Sequence, residues 1–285
     1  MASYLAVDIG GTKLAVGLVD RDGRVALRQE APTDPADPWP ALEALVRGVQ
    51  AADAAPGGHA TTVGVGSGGP MTRGGETVSP LNIAGWRGFP LRARLSALTG
   101  LPVAIDNDAK ALALAEGWCG AARGVADYLA MVVSTGVGGG IVLGGRLLDG
   151  ATGNAGHIGH VIVEPGGHLC GCGAHGCLEA EASGTAIGRI TGRPASEASI
   201  EVRERTGRLV GRAVADVCAL LDLRLAVVAG SVALGFGDVF FEAAQRELDA
   251  CARIEFVIGA TVTPAGLGRD GPLVGAAAVA RRAFG

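Results

Sequence analysis

Lysine is almost absent: of 24 Lys and Arg residues, only Lys13 and Lys110 are lysines. Lys13 lies in a glycine-rich turn, which marks it for function, although a compositional bias toward arginine explains the scarcity equally well. An excess of positive charge is also missing. The formal net charge is −4, which argues against a nucleic-acid-binding surface spread over the chain. No apolar run reaches the length of a membrane span; the longest candidate, 217–234, is interrupted by Asp222 and Arg224. The opening MASYLAVDIGG enters a strand pattern at once, with neither a basic region nor a cleavage site. Six cysteines form no disulfide framework. Three crowd into one loop, and Cys119, Cys218 and Cys251 sit in helical patterns as small apolar residues. The expectation is a cytoplasmic protein that engages neither nucleic acid nor membrane.

Glycine, by contrast, is abundant at 48 residues, clustered in turns between apolar runs. That composition suits tight turns and close approach to a ligand. With 285 residues, 48% of them hydrophobic and 18% charged, the chain can bury a substantial core in two domains.

Three apolar runs at 4–9, 14–19 and 24–31, joined by tight turns, predict a β-meander. A helix follows on the spacing of Leu42, Leu45, Val46 and Val49. A strand at 61–65, an irregular stretch at 71–89, a helix at 91–98, a strand at 102–105 and a helix from Ala109 complete the first half. The second half repeats this order: a strand at 128–134, a glycine turn at 135–140, a strand at 141–143 and a further turn. Helices at 183–189 and 201–221, a strand at 225–228, a helix at 238–251, a strand at 256–262 and a helix at 272–283 follow. A βββαβα order used twice predicts an α/β protein of duplicated halves with mixed sheets.

The most chemical stretch is 154–179, NAGHIGHVIVEPGGHLCGCGAHGCLE. His160, Cys170, Cys172 and Cys177 have metal-ligand spacing, and thiolates with imidazole suit Zn²⁺. Four such ligands close a tetrahedral site, so this zinc would hold the loop and leave no position for a reactive water. His168 and His175 are weaker ligand candidates. Free or disulfide-bonded cysteines beside an ordinary histidine are the alternative. His157 and Glu179 flank the ligands as polar groups whose directions such a staple would fix.

Two turns can cradle phosphate with backbone N–H groups: Gly10-Gly11-Thr12-Lys13, preceded by Asp8 as a Mg²⁺ ligand, and Ser134 to Gly140, containing Thr135, Gly136, Gly138 and Gly139. Neither is a Walker A loop, and strands rather than helices follow both, which excludes a Rossmann fingerprint. Asn107-Asp108 ends one strand and opens a helix. Asp108 is placed either as a general base or as the helix N-cap. Gly230-Ser231 borders a nucleotide or is a plain strand-to-helix turn.

Together these residues resemble the ROK family of sugar kinases and sugar-responsive repressors. The resemblance runs through DIGGTK at 8–13, the Gly-Pro turn at Pro70, Asn107-Asp108, STGVGGG at 134–140, Gly159-His160, the CGC and GCLE motifs at 170–172 and 176–179, and ASGTA at 182–186. It covers nearly the whole chain. It implies an α/β architecture of two ribonuclease-H-like (actin/hexokinase-like ATPase) domains with a cleft between them: residues 1–108, completed by a helix near 271–285, and residues 109–270 with the zinc loop. It implies ATP-dependent phosphorylation, with Mg²⁺, of a hydroxyl of a hexose, a modified sugar or a cyclitol, with Asp108 as base. Asn82, Asn107, His157, His160 and Glu179 would be the substrate-binding set. Gly10 to Lys13 and Thr135 to Gly139 would bracket the phosphates, and Gly230 and Ser231 would border the nucleotide. His160 would serve both zinc and sugar. Domain closure and a homodimer are further expectations of the resemblance.

Two departures stand out. His157 occupies the place of the family's usual Glu, and the segment 185–201 is short. The phosphate motif beginning at Asp8 leaves no room for a repressor's N-terminal helix-turn-helix, so catalysis is expected. A catalytically idle sugar-binding regulator is the alternative.

Overall fold

The computed structural model describes residues 2–54 and 59–285. Contacts divide them into two units. The first holds residues 1–120, 149–153 and 267–285; the second holds 121–148 and 154–266. The helix after Asp108 and residues 267–270 therefore cluster with the first unit, whereas the sequence reading begins the second domain at residue 109.

In the first unit, β1 (Ala2–Ile9), β2 (Lys13–Asp20) and β3 (Val25–Pro32) form an antiparallel meander. After α1 (Trp39–Asp53), β4 (His59–Ser67) joins β1 in parallel. Helix α2 (Leu91–Thr99) leads to β5 (Val103–Asn107), parallel to β4, and then α3 (Asp108–Cys119) begins at once. The sheet order is β3-β2-β1-β4-β5. One face is an aliphatic core of Leu5, Val7, Ile9, Leu42, Val46, Leu91 and Leu95, with Trp86 from the 71–89 stretch stacked on Phe89 at 4.2 Å. Against the other face lies α9 (Gly271–Phe284), an alanine-rich helix whose Leu273, Ala276 and Ala277 pack on Ala6 and Ala15. Glycine makes this approach feasible: a Cβ on Gly64 would collide with the Ala276 carbonyl, and one on Gly17 with Leu273.

The second unit repeats the plan. Strands β6 (Tyr128–Val133), β7 (Val137–Leu143) and β8 (Arg146–Leu147) are antiparallel. Short helices α4 (Leu178–Ala182) and α5 (Gly184–Thr191) follow the cysteine loop, and the long α6 (Ile200–Leu221) leads to β9 (Leu225–Ala229). Then come α7 (Ser231–Phe236), α8 (Asp238–Cys251) and β10 (Thr261–Pro264). The order β10-β9-β6-β7-β8 mirrors the first sheet, with β9 and β10 parallel to β6. Helices α6 and α8 touch closely because Gly207 and Gly211 lie against the Phe240 and Ala244 carbonyls. This is the mixed α/β, ribonuclease-H-like architecture expected of each half.

Two boundaries differ from expectation. Strand β7 begins at Val137, so Gly138 and Gly139 lie inside it, paired with Val132 and Met131, and not in a turn. The strand expected at 256–262 is a 3-10 turn at Glu255–Val257, a left-handed Gly259 (φ 84°) and then β10, because the glycine turns the chain. No helix among the described residues is long and apolar enough to cross a membrane.

Candidate functional site

In the first unit, the expected residues gather at the C-terminal ends of β1, β4 and β5, where parallel strands present loops and helix starts. Gly66 on β4 is flanked on both sides: a Cβ there would lie 3.7 Å from Asp8 Oδ1 and 3.8 Å from Asp108 Cα. Asp8 is therefore a carboxylate in a confined place near a second one. Burial, and next the charge of Asp108, push its pKa from 3.8 up to about 7 despite Lys13 and Arg28 nearby. A carboxylate so disfavoured as an anion suits a bound cation, and Asp8 fits the part of a Mg²⁺ ligand.

Asn107, not Asp108, caps α3: its Oδ1 accepts from the Ala109 N–H at 3.0 Å, and Asp108 is the first helical residue. Asp108 Oδ1 also accepts from Ala109, at 2.8 Å. The cap thus orients the turn while the carboxylate remains at the strand-to-helix junction. The Gly10–Lys13 turn is closed by the Gly10 N–H donating to the Lys13 carbonyl at 3.0 Å, and Thr33 Oγ1 donates to the Gly10 carbonyl at 2.8 Å. Thr12 is exposed at the tip of this turn, and its carbonyl accepts from the Thr33 N–H at 3.1 Å. Asn82 rests on the turn, since a Cβ on Gly11 would come within 2.7 Å of its own Cβ. Lys13 Nζ donates to Glu30 Oε1 at 3.1 Å, and Arg28 holds the same oxygen at 3.0 Å. Glu30 is a residue that the sequence reading missed; only the strand pairing brings it beside the lysine.

In the second unit, Ser134, Thr135 and Gly136 form the turn between β6 and β7. The Ser134 and Ser231 hydroxyls lie 3.0 Å apart, so this turn meets the Gly230–Ser231 turn. Gly230 has φ 104°, and a Cβ there would strike the Val133 carbonyl, so the junction requires glycine. Gly184 N–H donates to the Ser134 carbonyl at 2.7 Å and Thr185 Oγ1 to the Thr135 carbonyl at 2.9 Å. The ASGTA motif was visible in the sequence, yet its place against this turn was not. Glu179 Oε2 accepts from the Val137 N–H at 2.9 Å and lies over Gly136. Gly139 serves packing: a Cβ there would crowd Ile158 and the Gly156 carbonyl at 3.0 and 3.1 Å.

The four predicted metal ligands come together. One ligand atom from each of His160, Cys170, Cys172 and Cys177 lies within 4.8 Å of the others. His160 Nδ1 is 3.7 Å from Cys170 Sγ, and Cys172 Sγ is 3.7 Å from Cys177 Sγ. Tetrahedral bonds of about 2.3 Å give edges of about 3.8 Å, so the donor set fits one zinc-sized ion. Without an ion, burial followed by the neighbouring thiols pushes the Cys177 thiol up to about 12. His168 and His175 are engaged elsewhere. His168 Nδ1 is 3.0 Å from Glu181 Oε1, and His175 Nδ1 is 3.0 Å from the Gly167 carbonyl. Glu181, fully buried, also accepts from the His168 N–H and from Arg205, and so braces the loop.

His157 is exposed, its ring parallel to that of His160 at 6.1 Å. Its Nδ1 lies 2.9 Å from the Asn154 carbonyl. A carbonyl only accepts, so Nδ1 carries the proton, and Nε2 of the neutral ring is an acceptor. A neutral imidazole offers one donor and one acceptor, and this bond leaves the acceptor for a ligand.

The ROK family profile matches residues 4–283. N-Acetylmannosamine kinase of Escherichia fergusonii is 42% identical over 254 residues, 82% of this chain and 84% of that protein. A ROK family glucokinase of Streptomyces griseus, solved with glucose and AMPPNP, superposes with a TM-score of 0.84 at 32% identity, covering 99% of this chain and 100% of that one. ROK hexokinase of Thermus thermophilus gives 0.82 at 34% identity, covering 99% and 98%. The chain belongs to the ROK family. Its activity is that of a carbohydrate kinase, a phosphotransferase with an alcohol acceptor.

Proposed function

We propose that this chain transfers the γ-phosphoryl group of ATP to the primary hydroxyl of N-acetylmannosamine or a closely related 2-acetamido sugar. The observation that carries the reaction type is Asp108 at the β5–α3 junction, beside the confined carboxylate of Asp8. Asp108 accepts the proton of the sugar hydroxyl as that oxygen attacks phosphorus. Asp8 would hold Mg²⁺, which would supply neutralisation of the phosphate oxygens. The Gly10–Lys13 turn and the Ser134–Gly136 turn offer N–H groups to the phosphates, and Gly230, Ser231 and Thr185 border the nucleotide. Asn82, Asn107, His160 and Glu179 orient the sugar.

The acetamido preference is supported by the relatives at 41% and 42% identity named N-acetylmannosamine kinase and by the chemistry of His157. Its Nε2 acceptor suits an amide N–H, where an ionised glutamate accepts from two adjacent hydroxyls. His160, Cys170, Cys172 and Cys177 would hold a structural Zn²⁺ that keeps His157, His160 and Glu179 in place, with His160 Nδ1, the nitrogen near Cys170, given to the metal and Nε2 left for the sugar. A cytoplasmic setting is the compartment that an ATP-dependent reaction suits, and a homodimer is the assembly we infer from the family resemblance. A non-catalytic sugar regulator has less support, since the relatives above 30% identity are named as kinases.

ATP consumption measured with N-acetylmannosamine, N-acetylglucosamine, glucose and a cyclitol panel tests the reading. N-Acetylmannosamine should give the highest kcat/KM, with phosphate on its primary oxygen by NMR. A glucose preference of tenfold or more (~1.4 kcal/mol) would reject the acetamido assignment.

A further inference from the structure

Lys110 breaks two rules at once. It lies in the first turn of α3, where the helix dipole disfavours a cation. Its side chain is also only 4% exposed, where an ammonium is costly unless paired. The atoms around it supply the compensation. Nζ donates to Asp149 Oδ1 at 2.9 Å and to the Gly153 carbonyl at 3.2 Å, and lies 3.0 Å from Asp106 Oδ1. Three acceptors meet the three donors of an ammonium. Arg282 closes the cluster, 2.6 Å from Asp149 Oδ2 and 3.4 Å from Asp106 Oδ2, so two cations face two carboxylates. Hydrogen bonds from Arg282 and, to a lesser degree, Lys110 hold the Asp149 carboxyl down to about 2 against the opposing effect of its partial burial. Apart from Lys13, every other basic residue of this chain is arginine. A planar guanidinium does not match three convergent point acceptors, which gives the lysine a chemical reason to be here.

The partners also join three stretches that matter. Asp106 directly precedes Asn107-Asp108, and its Oδ1 accepts from the Asn107 N–H at 2.8 Å. Residues 149–153 are a five-residue strap of the first unit, with second-unit chain on either side. Asn154 follows the strap, and its carbonyl holds the His157 ring. We propose that Lys110 is a positioning residue for sugar binding: by fastening the 149–153 strap to the first turn of α3, it fixes where the His157 segment departs. This rests on the reading of Asp108 and His157 as sugar-site residues.

Asp149→Asn is the first test, since the half-exposed Asp149 tolerates the change while losing its charge to Lys110. Calorimetric titration with N-acetylmannosamine, without ATP, should show affinity weakened by about tenfold, with the KM for ATP changed by less than about twofold. Hydrogen exchange of 149–157 should accelerate while the β1–β5 core is unchanged. Lys110→Met alone leaves two carboxylates facing one cation and is expected to lower Tm. The double variant Lys110→Met/Asp149→Asn restores the charge balance and should recover Tm but not sugar affinity. Recovery of sugar affinity together with Tm would show a merely structural ion cluster and overturn the proposal. Faster exchange with unchanged sugar affinity would overturn it equally. Failure of the wild-type chain to bind any acetamido sugar would refute the functional reading, and the positioning role with it. Faster exchange of 149–157 would then leave only a structural fastening.

Discussion

Replacing Asp8 by Asn should make the protein more stable at pH 8 and leave it almost unchanged at pH 4. The carboxyl group rises from an ordinary 3.8 to about 7 on folding, chiefly through burial and then through Asp108. The folded state thus binds this proton more tightly than the unfolded state. Stability from this group is full below about pH 4, falls as pH rises through the window between 3.8 and about 7, and stays at its minimum above. The full difference corresponds to about 4 kcal/mol. Asp8 keeps some solvent access, so a gain of about 1–4 kcal/mol for the amide is expected at pH 8. For a chain of this size that raises Tm by about 2–7 °C. Scanning calorimetry at pH 4, 5.5 and 8 reads it, in Mg²⁺-free buffer without chelator so that any zinc stays bound. Adding Mg²⁺ and a non-hydrolysable ATP analogue at pH 8 should then stabilise the wild type more than the variant. A Tm gain equal at all three pH values, or absent at pH 8, would refute the argument, because only a pH-dependent penalty can come from a carboxyl group.

Asp108→Asn should fold and bind sugar nearly normally but lose about 10²–10⁴-fold in kcat, the scale for losing a general base; near-wild-type turnover would reduce Asp108 to a helix-start residue. Cys172→Ser should lower zinc content from one ion per chain and reduce activity as the loop loosens, and elemental analysis that finds no zinc in the wild type, purified without chelator, would end that assignment. His157→Glu should shift relative kcat/KM from N-acetylmannosamine toward glucose by about tenfold or more, as an acceptor for two hydroxyls replaces one for an amide N–H; an unchanged ranking would show that position 157 does not select the sugar.

Much of this was readable from the chain because its punctuation is local. The meander turn at Asp20–Gly23, the spacing of Leu42, Val46 and Val49, and the closing glycines of α2 and α5 each act within a few residues. The metal cluster was legible for the same reason, since three of its four ligands fall within eight residues. What failed was glycine in a strand. Gly138 and Gly139 read as a turn, but both pair within β7, and Gly139 is needed because residues 156–158 pass over its face, a contact with no local signature. Asp108 stood open between general base and N-cap; the extended backbone of Asn107 makes Asn107 the cap residue, although both side chains accept from the Ala109 N–H. Glu30 and the Lys110 cluster depend on strand register and on a helix 170 residues away, so only the rarity of lysine pointed toward them.

The duplicated topology lets the two halves be compared position by position, and the comparison separates their chemistry. Asp8 pairs with Gly66 across β1 and β4, and Val132 with Ala229 across β6 and β9, in the same places of the two sheets. The hairpins agree, with Ile9 opposite Leu14 and Val133 opposite Val137 as the last pairs. The place of the confined Asp8 is therefore taken by a valine in the second unit. Following β4 to β5 and β9 to β10 by the same pairing sets Ile105 against Pro264. Past these pairs the two halves diverge: α3 begins at Asp108 directly after β5, whereas a 3-10 turn at Gly268–Asp270 intervenes between β10 and α9. Asp8 and the Asp108 charge that helps push its pKa up thus belong to one half, and the counterpart of Asp8 in the other is aliphatic. In the second unit the same strand ends carry Ser134, Gly230 and Ser231, neutral groups whose hydroxyls meet at 3.0 Å. Neutral donors can approach a polyphosphate without the repulsion that a third and fourth carboxylate would add. The two sheets supply equivalent strand ends, and the placement of carboxylates on one of them suits that one to a cation and a proton.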